Sequence, residues 1–149
     1  MVLSTLGFAF SFYNPDEQVN EQNTDINEDY SINIGGNKVY LTNSRTQIGN
    51  VSTNLSIEVQ QYSNKPLYLD VNGSNSVLQE IGSSLGKYAS RTQEACYGKC
   101  EENLPEKDCS TNLIVWKDSL ENKVYQEDNC VFIEGDINSA DAFLYKILK

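Results

Sequence analysis

Four cysteines constrain this chain more than any other feature. Cys96, Cys100, Cys109 and Cys130 stand in the spacing C-x3-C-x8-C-x20-C, and three of them fall inside the polar stretch CYGKCEENLPEKDC. A polar segment gives a thiol little apolar surface to bury against, so bridges suit it better than inert core thiols. The spacing lacks the C-x2-C knuckle of a zinc site and the C-x-x-C of a redox motif. Two disulfides, and with them an oxidising compartment, are the expectation. The favoured pairing is Cys96–Cys130 with Cys100–Cys109. Cys96 continues the apolar phase of a long helix described below and so faces a sheet, and Cys130 opens a strand of that sheet. Cys100 and Cys109 flank one short loop. The longer bridge would stabilise by roughly 3–4 kcal/mol through loop-closure entropy. The other two pairings stay open at this level.

The remaining composition mostly excludes. A chain of 149 residues suits one domain with a core of its own. The net charge of −10 comes with only 11 basic side chains, which form no cluster along the sequence. Nucleic acids and anionic membrane surfaces need a basic stripe, so neither is an expected partner. There is no histidine. That removes Ser-His-Asp and Cys-His catalysis and every His-containing zinc site. No catalytic residue, metal ligand or cofactor is assigned.

Three regions are expected. Residues 1–13 (MVLSTLGFAFSFY) are apolar but carry no basic n-region, the first cation being Lys38. They read as the remnant of a longer signal or membrane anchor, with an apolar first strand as the other reading. A cut after Ala9-Phe10-Ser11 fits the small-x-small rule. Residues 14–30 hold Asp16, Glu17, Glu21, Asp25, Glu28 and Asp29 without a single Lys or Arg, and read as an acidic linker. Their spacing is not that of a calcium loop. Residues 31–149 are expected to form a single α+β domain.

Within that domain, alternation around Gly35-Gly36-Asn37 predicts a hairpin over Ser31–Thr42. A short strand is expected at Ser56–Gln60 and a clearer one at Pro66–Val71. Leu78, Ile81, Leu85, Tyr88, Thr92 and Ala95 recur at helical steps and predict a long helix over Ser76–Tyr97, capped by Ser74 or Ser76. Gly82 and Gly86 weaken it and suggest close packing on the sheet. Asn112–Lys117 and Cys130–Glu134 are apolar on both faces, as central strands are. Lys123–Gln126 joins them through a turn at Asp128-Asn129. Ser139–Leu148 predicts a short amphipathic helix. The expected fold is a mixed sheet of about five strands with one long and one short C-terminal helix, and a βαβ crossover from Pro66–Val71 to Asn112–Lys117.

Asn-x-Ser/Thr acceptors occur at Asn50, Asn54 and Asn72. A chain so rich in Asn, Ser and Thr holds such triplets by chance, so they do not argue for secretion.

The segments QEACYGKCEENLPEKDCSTNLIVW, KVYQEDNCVFIEGD and ADAFLYKIL, with the start STLGFAF, resemble a group of uncharacterised archaeal proteins. The similarity runs from about Lys65 to Leu148 and is poor in the front half. It implies an N-terminally anchored domain facing out of the cell, with no catalytic residues to carry over. This chain lacks most of the anchor expected of that group.

Three functions follow as expectations. The first is a non-enzymatic, extracytoplasmic domain with a protein or envelope partner, touching membrane only through an N-terminal anchor. The second is a thiol–disulfide redox protein using Cys96 and Cys100. Only Lys99 lies beside them, against Glu94, Glu101 and Glu102, and that charge disfavours a thiolate. The third is a metal-dependent hydrolase built on Asp118, Glu121 and Lys123, or on Glu134 and Asp136.

Overall fold

The computed structural model describes residues 30–148, apart from residue 35. The expected anchor remnant (1–13) and all of the acidic linker but Tyr30 lie outside the described residues. Ten strands and two helices follow in order, with a 3₁₀ turn at Val59–Tyr62.

The core is a six-stranded mixed sheet. Its strands are β3 (Ser52–Asn54), β4 (Pro66–Val71), β5 (Arg91–Glu94), β8 (Leu113–Lys117), β9 (Lys123–Glu127) and β10 (Cys130–Glu134). They lie side by side in the order β3-β9-β10-β8-β4-β5. Strands β10, β8, β4 and β5 run parallel, and β9 pairs antiparallel with β10 across the tight turn at Asp128-Asn129. β8 and β10 hold the centre, and four consecutive residues in each are buried. Side chains alternate between faces along a strand, so both faces there must be covered.

One face is covered by regular structure. Helix α1 (Asn75–Leu85) and helix α2 (Ile137–Ile147) pack on each other and on the sheet. Val77, Ile81, Leu85, Phe143 and Leu144 meet Leu67, Leu69, Ile114, Val131 and Ile133. The hairpin of β1 (Ser31–Ile34) and β2 (Asn37–Tyr40) forms a separate two-stranded sheet that adds Ile32 and Ile34 to the same core. Ser74 caps α1 by accepting from Val77 N, and Asp136 caps α2 by accepting from Asn138 N. Ser139, where the expected helix begins, lies buried inside the first turn and donates to Glu134 O at 2.7 Å. Among the described residues no helix is long and apolar enough to cross a membrane.

The other face carries a smaller apolar cluster of Ala95, Leu113, Val115, Cys130 and Phe132. It is covered by the segment between β5 and β8, whose only regular pairing is the two-residue parallel ladder of β6 (Cys96–Tyr97) with β7 (Glu106–Lys107). Tyr97 meets Phe132 edge-on and Tyr125 stacks on it, each with ring centroids 5.2 Å apart.

The mixed α+β sheet with two helices and two disulfides is as expected, with six strands rather than about five. The first helix is not. It stops at Leu85, and both helices are 11 residues long. Gly86 caps it, and its N–H bonds Gly82 O at 2.8 Å. The apolar steps at Thr92 and Ala95 belong to edge strand β5 and the residue after it, so the β4–α1 unit returns to β5 before the chain reaches β8. Ser56–Gln60 is not a strand either; the pairing falls at Ser52–Asn54, parallel to β9.

All four cysteines are bridged, but as Cys96–Cys100 and Cys109–Cys130. The expected pairing, Cys96–Cys130 with Cys100–Cys109, rested on Cys96 lying on a helix. It lies in β6 instead, on the layer above the sheet. Cys109 is the cysteine carried down to β10, its Cα 4.9 Å from that of Cys130.

Gly135 links β10 to α2 at φ +122°, and an added Cβ would overlap Asn122 Oδ1 and Ser139 Oγ. Asn122 Oδ1 accepts from Asp136 N at 2.9 Å and Ser139 Oγ at 3.0 Å, which fixes the start of α2. Gly135→Ala is expected to cost about 2–4 kcal/mol, from backbone strain plus a lost hydrogen bond. Gly73→Ala, at φ +96° in open space, should cost about 1–2 kcal/mol by strain alone. Urea midpoints of the two variants check the difference; equal losses would contradict the clash.

Candidate functional site

A wide concave surface lies at the N-terminal ends of β4 and β8, beside the turn into β10. It is a groove of about 580 Å³ lined by Gln61, Lys65, Pro66, Tyr68, Ser110, Thr111, Asn112 and Asn129. Its floor is a network of side-chain amides. Gln61 Nε2 donates to Asn112 Oδ1 at 3.1 Å and to Asn129 Oδ1 at 3.2 Å. Asn112 Nδ2 donates to Gln61 O, and Asn129 Nδ2 to Ser110 O. Each Asn amide nitrogen thus spends one of its two hydrogens within the network, and the side-chain Oε1 of Gln61 accepts no hydrogen bond among the described residues. The groove is floored by fixed amides with spare donors and one spare acceptor.

One disulfide holds a wall of the groove and the other lies in the loop beside it. Cys109–Cys130 pins the Cys109–Asn112 turn to the start of β10, and Asn129 N donates to Cys109 O at 3.1 Å. Cys96–Cys100 closes the loop beside β6, whose pairing with β7 sets Lys107 over the ring of Tyr68. The Lys107 Nζ is 4.5 Å from that ring centroid, and the Arg91 guanidinium carbon is 5.6 Å from it. Arg91 also donates to Tyr68 Oη at 3.2 Å and to Gln93 Oε1. Arg91 and Lys107 therefore share one tyrosine ring, Lys65 lines the groove beside it, and none of the three forms an ion pair among the described residues. The exposed Asp108 lies next to Lys107. Hydrogen bonds from Ser110 hold its carboxyl below the usual carboxylate range, with a smaller contribution from the charge of Lys107.

The sequence-derived candidates are placed differently. Of the residues proposed for a hydrolase, Glu121, Lys123 and Glu134 line one open pocket of about 310 Å³, while Asp118 and Asp136 do not. Glu134 accepts from Tyr125 Oη at 2.7 Å and pairs with Lys123 at 3.7 Å, while Asp136 caps α2. The bond to Glu134 pushes the Tyr125 hydroxyl up to about 12. Among the described residues, the trio whose ligand atoms lie close enough for a cation is Cys96, Cys100 and Glu102. Two of those three atoms are bonded to each other. The same bridge faces a small crevice with Asp70, Glu94 and Glu102, acids that disfavour a thiolate there. Asn50, Asn54 and Asn72 are all exposed.

A second cluster of titratable groups joins the helices. Asp141 of α2 is fully buried and meets Glu80 of α1. Thr42 donates its N–H and hydroxyl to Glu80 Oε1, and Asn43 its N–H and amide to Asp141 Oδ2. The oxygens left over, Glu80 Oε2 and Asp141 Oδ1, are buried without a donor. One shared proton satisfies both. Burial and the Glu80 carboxylate push the Asp141 carboxyl up to about 8. A perturbed pair of this kind is a frequent mark of catalysis. Here both carboxyls clasp the segment after β2 onto the helices, and neither lines a groove described here.

No family model matches this chain, and no curated protein or solved structure is similar to it. The functional reading thus rests on the groove itself. Sequence reasoning did not find it. Gln61, Lys65, Tyr68, Asn112 and Asn129 come from four separate segments and meet only through the pairing of β4 with β8 and β8 with β10.

The proton held by the folded state sets a pH dependence. Asp141 rises from 3.8 unfolded to about 8 folded, so its stabilisation is complete below the lower value and is lost as pH rises through the upper one. The melting temperature is expected to fall between pH 5 and pH 8.5, and Asp141→Asn, which carries a permanent donor, to flatten that fall. A melting temperature that climbs through this window would refute the shared proton.

Proposed function

We propose that this chain is an extracytoplasmic, N-terminally tethered binding domain that uses the Tyr68 groove. The groove carries the reading: fixed amides with spare hydrogen-bonding capacity, Lys65 at the rim, and Arg91 and Lys107 over the Tyr68 ring, with no ion pair to any of the three among the described residues. Such a surface is built to hold a polar ligand in place.

The two disulfides fit an oxidising setting. The resemblance to anchored archaeal proteins and the apolar residues 1–13 support a tether facing outward. The partner on this reading is a component of the cell envelope or its surroundings.

The test uses the native protein in its own cells. A membrane-impermeant amine reagent applied to intact cells is expected to label the exposed Lys65 and Lys87, and the non-reduced mass to fall four hydrogens below the reduced one. Labelling only after lysis, or free thiols at isolation, would overturn the outward-facing reading.

A further inference from the structure

Charge in this protein is distributed against its own average. The chain holds 21 acidic and 11 basic side chains, yet Arg91 and Lys107 lie over Tyr68 and Lys65 lines the groove beside it. The net charge of −10 acts weakly there, since exposed charges more than about 8 Å away are largely screened at physiological salt. The local field is set by these three cations against the single carboxylate of Asp108, which is already held by Ser110.

The lining narrows the class further. Only Pro66 and the Tyr68 ring offer apolar surface, and the ring carries Lys107 above it. There is no deep apolar pocket for the side chains of a peptide. Instead the groove presents one spare N–H on each of Asn112 and Asn129, the side-chain Oε1 of Gln61, and the hydroxyl oxygens of Ser110 and Thr111. Those hydroxyls already donate, to Asp108 Oδ1 at 2.5 Å and Asp108 O at 2.8 Å, which leaves them free to accept. Alternating donors and acceptors match a ligand whose hydroxyls do both, and Lys65 at the rim matches a carboxylate.

We infer that the ligand of this groove is a carboxylated saccharide, its hydroxyls on the Gln61–Asn112–Asn129 amides and its carboxylate toward Lys65. Arg91 and Lys107 extend the attraction along the face of the sheet to a neighbouring acidic unit. The inference rests on the binding reading above and names its ligand class.

Titration calorimetry on the purified full chain tests it with three probes: trigalacturonate, its methyl ester and triglutamate. Trigalacturonate is expected to bind, and the neutral ester to bind about tenfold or more weakly, since charge-assisted bonds are the strong ones. Lys65→Met should weaken trigalacturonate by a similar factor and Asn112→Ala should weaken both saccharides, while Lys146→Met on α2 changes neither. Affinity should fall as salt rises. Equal binding of ester and acid would overturn the carboxylate inference and leave a binding domain for neutral glycan. Tighter binding of triglutamate than of trigalacturonate would replace the saccharide with an acidic peptide. Failure of all three probes, with the variants still folded by circular dichroism, would overturn the ligand class, whereas the surface-labelling result bears only on the outward-facing reading.

Discussion

The burial of β8 and β10 on both faces is the constraint from which the rest of the architecture follows. Leu113, Ile114, Val115 and Trp116, with Cys130, Val131, Phe132 and Ile133, leave no face of the sheet centre that water can occupy. Two helices and a hairpin serve one face. The other is served by a segment with almost no repetitive structure, from Cys96 to Asn112. A covering layer of that kind has few backbone hydrogen bonds to hold it in register, and covalent bridges take their place. Cys109–Cys130, spanning 21 residues, stabilises by about 3 kcal/mol on loop-closure grounds.

What was legible in the sequence followed apolar patterning. The strands at Pro66–Val71, Asn112–Lys117 and Cys130–Glu134, the hairpin at Gly35-Gly36 and the turn at Asp128-Asn129 all announce themselves through burial period or turn chemistry. β5 does not. It is a short edge strand of Arg91, Thr92, Gln93 and Glu94, so its residues face too little core to impose an alternation. Thr92 and Ala95 happened to continue the steps of the preceding helix. A helix extended to Tyr97 turns Cys96 toward the sheet and so implies the Cys96–Cys130 bridge, whereas Cys96 lies in β6 and pairs with Cys100. One boundary error thus propagated into connectivity. The groove was illegible for a different reason: its residues are neither consecutive nor periodic, and only strand order brings them together.

The two shared constraints of this protein lie at opposite faces. On the helical side, a single proton between Glu80 and Asp141 joins α1, α2 and the Thr42-Asn43 segment in one polar knot inside an apolar layer. On the loop side, Arg91 and Lys107 lie over an aromatic ring with no ion pair among the described residues. The first arrangement is anchored on the buried Asp141 and is satisfied within the fold. The second keeps its charges at the surface.

The dependence of the second layer on its bridges has a consequence for how the chain matures. None of the four cysteines lies in the helices or the hairpin, so the helical face can assemble on the reduced polypeptide. The Leu113–Val115–Phe132 face cannot be closed in the same step, because its cover is not yet fastened. Until the bridges form, that apolar face lacks a fastened cover. Oxidation acts as the clock that ends this stage, and the groove comes into being at the same moment as the cover.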